Sequence, residues 1–256
     1  MNNFTTLLDN DDQHVSLSKG ENSEVAIFTC TGVGHAMGGI DVQKKEFVNT
    51  AFRHGTIVTV IDKTRSWGNR VDFQAIADAT RDTLKNASMV MCVGNSMGAF
   101  NAVVLSHYVR ANRCLAFATQ YSVLPRIVPN ENRWRKYVNA IERFEIESLE
   151  SWFGRDTYFT MLSGNELLEE HHWSKIPNQP NIANIVVRNA DHDIAAHLKH
   201  RGLLESIFEH CLKGSSVRDL LRSAEIDAVD VNTDGLPSRF QVDLDNQKAR
   251  QAKQRD

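Results

Sequence analysis

No apolar run in this chain approaches the roughly 20 residues that a membrane-spanning helix needs, so no bilayer span is expected. The first residues, Met1 to Asp9, carry neither a basic stretch nor a long apolar segment. No secretory leader is expected from them, and a cytoplasmic location follows as the expectation. The four cysteines, Cys30, Cys92, Cys114 and Cys211, show no C-x-x-C spacing. Three lie in or beside apolar runs, which reads as buried thiols in a reducing compartment. The net charge of -3 is too small to recruit nucleic acid or an anionic membrane surface.

Nucleotide and metal signatures are also missing. Gly34-His35-Ala36-Met37-Gly38-Gly39 lacks the lysine of a phosphate-binding loop. Gly32-Val33-Gly34-His35-Ala36-Met37 starts like a dinucleotide fingerprint but has Met37 where the third glycine belongs. Asp191, His192 and Asp193 have no supporting cluster of metal ligands. Neither cofactor nor metal is expected. No internal repeat is found.

What is present is an ordinary globular composition, 41% apolar and 24% charged over 256 residues, enough for a sizeable core. Apolar strand-like runs alternate with helical segments. The strands are 24–30, 56–61, 87–93, 114–118, 157–162 and 182–187, with a further short one around Val15. Helices are expected at about 43–53, 72–86, 98–111 and 194–212. Near-continuous apolar strands separated by helices predict an α/β fold: a mostly parallel sheet with helices on both faces. Ligands in such sheets bind outside the carboxyl ends of the strands. The glycine-rich loop 31–39, Ser96, Gly164 and His192 all follow strand ends.

The sharpest signal is Gly94-Asn95-Ser96-Met97-Gly98, a G-x-S-x-G pentapeptide between an apolar strand and an apolar helix. In that context the turn lifts the serine hydroxyl above the sheet edge. Gly94, Gly98 and Ala99 supply the small residues needed where strand and helix pass closely. On this elbow, the strand order and a histidine after the last strand, residues 24–212 resemble the α/β-hydrolase superfamily, and the serine esterases and lipases within it.

The resemblance implies a serine nucleophile, a histidine base, a carboxylate and two backbone amides. Ser96 is the expected nucleophile and His192, in the turn leaving the last strand, the expected base. His35 is read as a loop-packing or substrate contact, His171 and His172 as a solvated pair or a structural hydrogen bond, and His197 and His200 as helix-face residues. The acid is expected in the loop after strand 157–162, where Glu166 stands nearest the usual position and Glu169 is the alternative. Thr119-Gln120-Tyr121, the other position the family uses, carries no carboxylate. The oxyanion would meet the amides of Met97 and Val33, with Gly34 the alternative to Val33. His35 and Trp67 are candidates for substrate contact, and Arg65 and Asn69 could line the same pocket.

The expected organisation is a hydrolase domain over 1–213 and a C-terminal extension over 214–256. The domain carries a short helical insert at about 121–154. The insert's Asn130 to Tyr137 brings basic and aromatic side chains together; it reads as a solvated helix face, with contact to an acidic or carbohydrate ligand as the alternative. In the extension, 217–228 is expected to be helical and 243–256 frayed or disordered. The resemblance implies a serine hydrolase acting on a small-molecule or carbohydrate ester, or a thioester, through an acyl-enzyme. Acyl transfer by the same residues, and a non-catalytic binding protein, remain alternatives. The extension could also join copies into a homo-oligomer.

Overall fold

The computed structural model describes residues 3–20, 22–34 and 43–253. In chain order the elements begin with β1 (Thr5–Asp9), β2 (Gln13–Ser18), β3 (Val25–Cys30), α1 (Val48–Ala51) and β4 (Thr56–Asp62). They continue with α2 (Phe73–Ala79), α3 (Arg81–Asn86), β5 (Met89–Asn95), α4 (Met97–Tyr108) and β6 (Arg113–Phe117). Then come α5 (Arg135–Val138), β7 (Tyr158–Gly164), α6 (Leu167–Trp173), β8 (Ile182–Val187) and α7 (Ile194–His200). The chain closes with α8 (Leu204–Lys213), α9 (Val217–Ser223), β9 (Ala228–Asp230) and α10 (Ser238–Lys253).

Nine strands form one sheet in the order β1-β2-β4-β3-β5-β6-β7-β8-β9. The six strands from β4 to β8 run parallel, and β1, β2 and β9 are antiparallel additions at the edges. The central strands are buried on both faces, as their unbroken apolar runs require. Phe28, Val58, Cys92 and Phe159 point into one core; Ile27, Ile57, Met91 and Leu162 point into the other.

The N-terminal segment contains more structure than its polar sequence indicated. Asn10 turns β1 into β2, its side-chain oxygen accepting from the amides of Asp12 at 3.0 Å and Gln13 at 2.8 Å. The expected long helices are shorter or broken. The stretch 72–86 is interrupted at Thr80, which ends α2 and precedes α3. The stretch 194–212 is interrupted by Gly202, at φ +72°. Of 43–53 only α1 is helical.

The insert corrects the expectation of a helical cap. One four-residue helix, α5, lies within 121–154, and the rest is turns and loops. Val123, Val128, Ile141, Ile146, Leu149 and Phe153 are nevertheless buried in the larger core. The insert is therefore held by apolar anchors instead of helical propensity.

Over 243–253 the chain is helical where a frayed tail is the expectation; 254–256 lie outside the described residues. β9 pairs with β8, extending the sheet. α10 buries Phe240 and Leu244, four residues apart on one helical face, and its remaining residues are mostly polar. Ion pairs fasten it: Arg188 to Asp243 at 2.7 Å, and Arg239 to Asp227 at 2.6 Å. Gln247 accepts from the amide of Leu167 at 2.8 Å and donates to the carbonyl of Asn165 at 3.0 Å, gripping the start of α6.

Phe240 is the larger of the two apolar anchors, so Phe240→Ala is expected to lower stability by about 3–5 kcal/mol. At this chain size that is a fall in Tm of roughly 6–20 °C by thermal melting. A change below about 1 kcal/mol would show that α10 does not depend on that contact.

Candidate active site

Two glycines set the geometry at the end of β5. A Cβ on Gly94 would stand 2.1 Å from the Gly98 carbonyl oxygen, and one on Gly98 would stand 2.3 Å from the Cys30 carbonyl oxygen. Both contacts are with backbone, which cannot yield, so strand and helix approach this closely only without side chains. Between them Ser96 adopts φ 58°, ψ -120°, a conformation that non-glycine residues rarely take. It is pinned by its amide donating to the Phe117 carbonyl at 2.9 Å and its carbonyl accepting from the Phe100 amide at 3.1 Å. The amide of Met97, first residue of α4, has no intrahelical partner and lies where the helix dipole is positive.

His192, in the turn between β8 and α7, reaches Ser96: its Nε2 is 2.9 Å from Ser96 Oγ. On its other side Nδ1 lies 2.9 Å from Glu169 Oε1. Burial by itself would raise the Glu169 carboxyl. The hydrogen bond from His192, with the Arg133 guanidinium beside the same carboxylate, outweighs burial and holds it at about 2. An ionised carboxylate only accepts, so Nδ1 carries the imidazole proton and Nε2 is free to accept the Ser96 hydroxyl proton. Such a relay can take a proton from the hydroxyl as it attacks an electrophile.

The carboxylate against His192 is thus Glu169 and not Glu166, the first expectation. Glu166 is the N-cap residue of α6 in extended conformation and is exposed. Partial burial, followed by the charges of Glu169 and Asp191, pushes its carboxyl up. Glu169 sits in the first turn of α6, which turns it inward, and is 1% exposed. His172, three residues on, shares that inward face.

Other expected contacts fall differently. Trp67, expected at the substrate pocket, is completely buried. Its indole N–H donates to Gln120 Oε1 at 3.0 Å, and that oxygen is 3.2 Å from Ser96 Oγ. Arg65 donates from Nε to the Val33 carbonyl at 3.0 Å and stacks over Tyr137. It therefore braces the loop expected to carry the second oxyanion amide. Asn69 bonds the Ile146 backbone through both side-chain atoms and ties that loop to the insert. His35 lies outside the described residues, as do Gly38 and Gly39.

Sequence reading missed a second layer. Arg133, placed by expectation on a solvated face, is mostly buried and donates from Nη1 to Glu169 Oε1 at 2.9 Å. Its Nη2 and Nε bond Glu131, a completely buried carboxylate, at 2.6 and 3.1 Å to Oε2. His172 donates from Nε2 to the same Glu131 oxygen at 2.8 Å, while its Nδ1 accepts from the Tyr121 amide at 3.1 Å. Burial of His172 pushes its pKa down, in keeping with the neutral ring that this pair of bonds requires. For Glu131 burial opposes ionisation, but bonds from His172 and Arg133 hold the carboxyl at about 2. The local signals for this layer are the Glu169/His172 spacing on α6 and the Glu131/Arg133 pair two residues apart; the bonds that join them span 36 to 51 residues.

No protein-family model matches the chain, and no curated protein matches it in sequence. Solved structures do resemble it. The capsule O-acetyltransferase of Neisseria meningitidis serogroup A is 14% identical, with 79% of this chain and 93% of that one covered and a TM-score of 0.52. The Pyrococcus furiosus esterase Pf2001 is 12% identical, with 82% and 91% covered and a TM-score of 0.52. A chain of the glycosylation associate protein (Gap123) complex from Streptococcus agalactiae is 12% identical, with 91% of this chain but 47% of that one covered and a TM-score of 0.51. At these identities the likeness is one of architecture. With its sheet order and its strand–serine–helix elbow, this chain has the α/β-hydrolase fold.

Proposed function

We propose that the protein is a serine hydrolase that cleaves a carboxylic ester or thioester. The observation that carries this reading is the continuous chain Ser96 Oγ–His192–Glu169, with both hydrogen bonds at 2.9 Å. Ser96 Oγ attacks the carbonyl carbon as its proton passes to His192 Nε2. The carbonyl electrons move onto oxygen, which meets the amides of Met97 and Val33. Collapse expels the alkoxide or thiolate, which takes the proton back from Nε2. Water then repeats the sequence on the acyl-enzyme and returns the free acid and Ser96. Glu169 stays ionised throughout: it fixes the Nδ1–H tautomer and stabilises the imidazolium formed in each half-reaction.

A fluorophosphonate probe is expected to label the wild-type protein and not Ser96→Ala, with p-nitrophenyl acetate hydrolysis lost in parallel. Labelling that survives Ser96→Ala would defeat the reading.

Glu169→Gln is expected to lower kcat by roughly two to four orders of magnitude, since an amide cannot carry the charge that holds the tautomer. Glu166→Gln should stay within about twofold, because exposure leaves Glu166 outside the relay. The pH dependence follows from sign. A carboxyl held at about 2 is ionised at every higher pH, so loss of wild-type activity on mild acidification reflects the base and not Glu169. The Glu169→Gln deficit should therefore persist at neutral and alkaline pH. Recovery of the variant on raising the pH, or a greater loss in Glu166→Gln, would reassign the acid.

A further inference from the structure

The guanidinium of Arg133 stands between two histidine–glutamate pairs. On one side Nη1 and His192 Nδ1 both point at Glu169 Oε1 and lie 3.0 Å from each other. On the other side Nη2 and His172 Nε2 both point at Glu131 Oε2 and lie 3.1 Å apart. All four nitrogens are donors, so neither nitrogen–nitrogen contact is a hydrogen bond; each is two donors sharing one carboxylate oxygen. The path closes on itself. From Ser96 it runs through His192, Glu169, Arg133, Glu131 and His172 to the Tyr121 amide, and Gln120, the residue before it, returns to Ser96 Oγ.

Three features separate this from an ordinary ion pair. Arg133 comes from the insert, not from the strands and helix that carry the serine, base and acid. Its planar fork bonds two carboxylates through three separate nitrogens in fixed directions, which a lysine's single, freely rotating ammonium does not reproduce. Its charge stands against Nδ1 of the ring that becomes cationic when Nε2 takes the Ser96 proton. The other charged and titratable groups around His192 are Glu169 on α6, Glu131 and the neutral His172 behind Arg133, and Glu166 and Asp191 at the flank.

We propose that Arg133 is a positioning residue for the acid: it fixes the Glu169 oxygen that faces His192, opposes charging of the imidazole at rest, and is itself clamped by Glu131 and His172. This inference rests on the serine-hydrolase reading and assigns the insert a part in it. A cation 3.0 Å from an imidazole nitrogen disfavours a second charge there, an effect opposite in sign to that of the Glu169 carboxylate. Glu131 partly cancels that cation, so the two residues act on the base in opposite directions.

The test is the pH profile of kcat/KM for p-nitrophenyl acetate, with kcat, KM and Tm recorded for each variant. Arg133→Met removes the cation, so its acidic limb is expected to move up by about one pH unit. Glu131→Gln keeps the cation and removes its partner, so the limb should move down. Arg133→Lys keeps charge but loses the fork; its limb should stay while kcat falls about tenfold or more through misplacement of Glu169. KM should stay within about twofold throughout. A merely structural role would lower Tm without moving the limbs in opposite senses. Limbs that stay in place in every variant that folds, with kcat within about twofold of wild type, would overturn the proposal, provided Ser96→Ala abolishes turnover. Should Arg133→Met not fold, the downward limb of Glu131→Gln alone decides it. Turnover that survives Ser96→Ala would instead overturn the hydrolase reading, and this proposal with it.

Discussion

One carboxylate oxygen, Glu169 Oε1, accepts from both His192 and Arg133, and the rest of the site is arranged around keeping it charged in a buried place. An isolated carboxylate there would take up a proton instead of staying ionised. Two donors on one oxygen, one of them cationic, reverse that preference. Arg133 in turn needs more than Glu169. Its second carboxylate, Glu131, is buried as well, and without the guanidinium the two buried acids would lose the cation they share. With both imidazoles neutral, the cluster of two carboxylates and one guanidinium carries one net negative charge. An imidazolium at His192 neutralises it. The resting charge of the cluster is thus poised for the charge that serine attack would create, while Arg133 keeps the imbalance to a single unit.

The backbone supplies the other half of the constraint. Ser96 is held in a disfavoured conformation, worth about 1–3 kcal/mol of strain. That strain persists because both neighbouring elements are immobile. β5 lies between β3 and β6 in full parallel register, and α4 is buried along most of its length. A helix buried on nearly all sides can neither rotate nor slide to relax the turn. The same packing explains the glycines: any side chain at position 94 or 98 would have to move a backbone that the sheet has already fixed.

These two halves were unequally legible in the sequence. The elbow could be read because its determinants are local: an apolar strand, two glycines at fixed offsets and an apolar helix. His192 could be read because it follows the last apolar run. For the acid, position in the loop points to Glu166 and helical facing points to Glu169, and only the folded chain decides between them. Position 166 precedes α6 in extended conformation, whereas 169 is turned inward by the helix. Arg133 was illegible for a different reason. A charged residue in a polar, nearly helix-free stretch looks solvated until folding brings Glu169, 36 positions away, against it. α10 was misread likewise, since only Phe240 and Leu244 mark its buried side among charges whose partners are distant. What local rules miss here is consistently the long-range pairing of charge.

Gln120 shows how far that pairing extends. Trp67 Nε1 can only donate, so the Gln120 oxygen must face it, and the amide orientation is fixed by chemistry. That same oxygen lies 3.2 Å from Ser96 Oγ, against 2.9 Å for His192 Nε2, so one hydroxyl proton stands before two acceptors. Only one of them is a base. When Oγ gives up its proton the contact with Gln120 loses its hydrogen bond, whereas His192 gains a proton and a stronger attraction to Glu169. An interaction made only before attack stabilises the resting state and contributes nothing to the transition state. The value of Gln120 therefore lies in holding the serine side chain where His192 can reach it. Its backbone neighbour, Tyr121, anchors His172 at the far end of the charge cluster. The segment just after β6, which lacks a carboxylate of its own, thereby ties the nucleophile and the clamp on the acid to the same two residues.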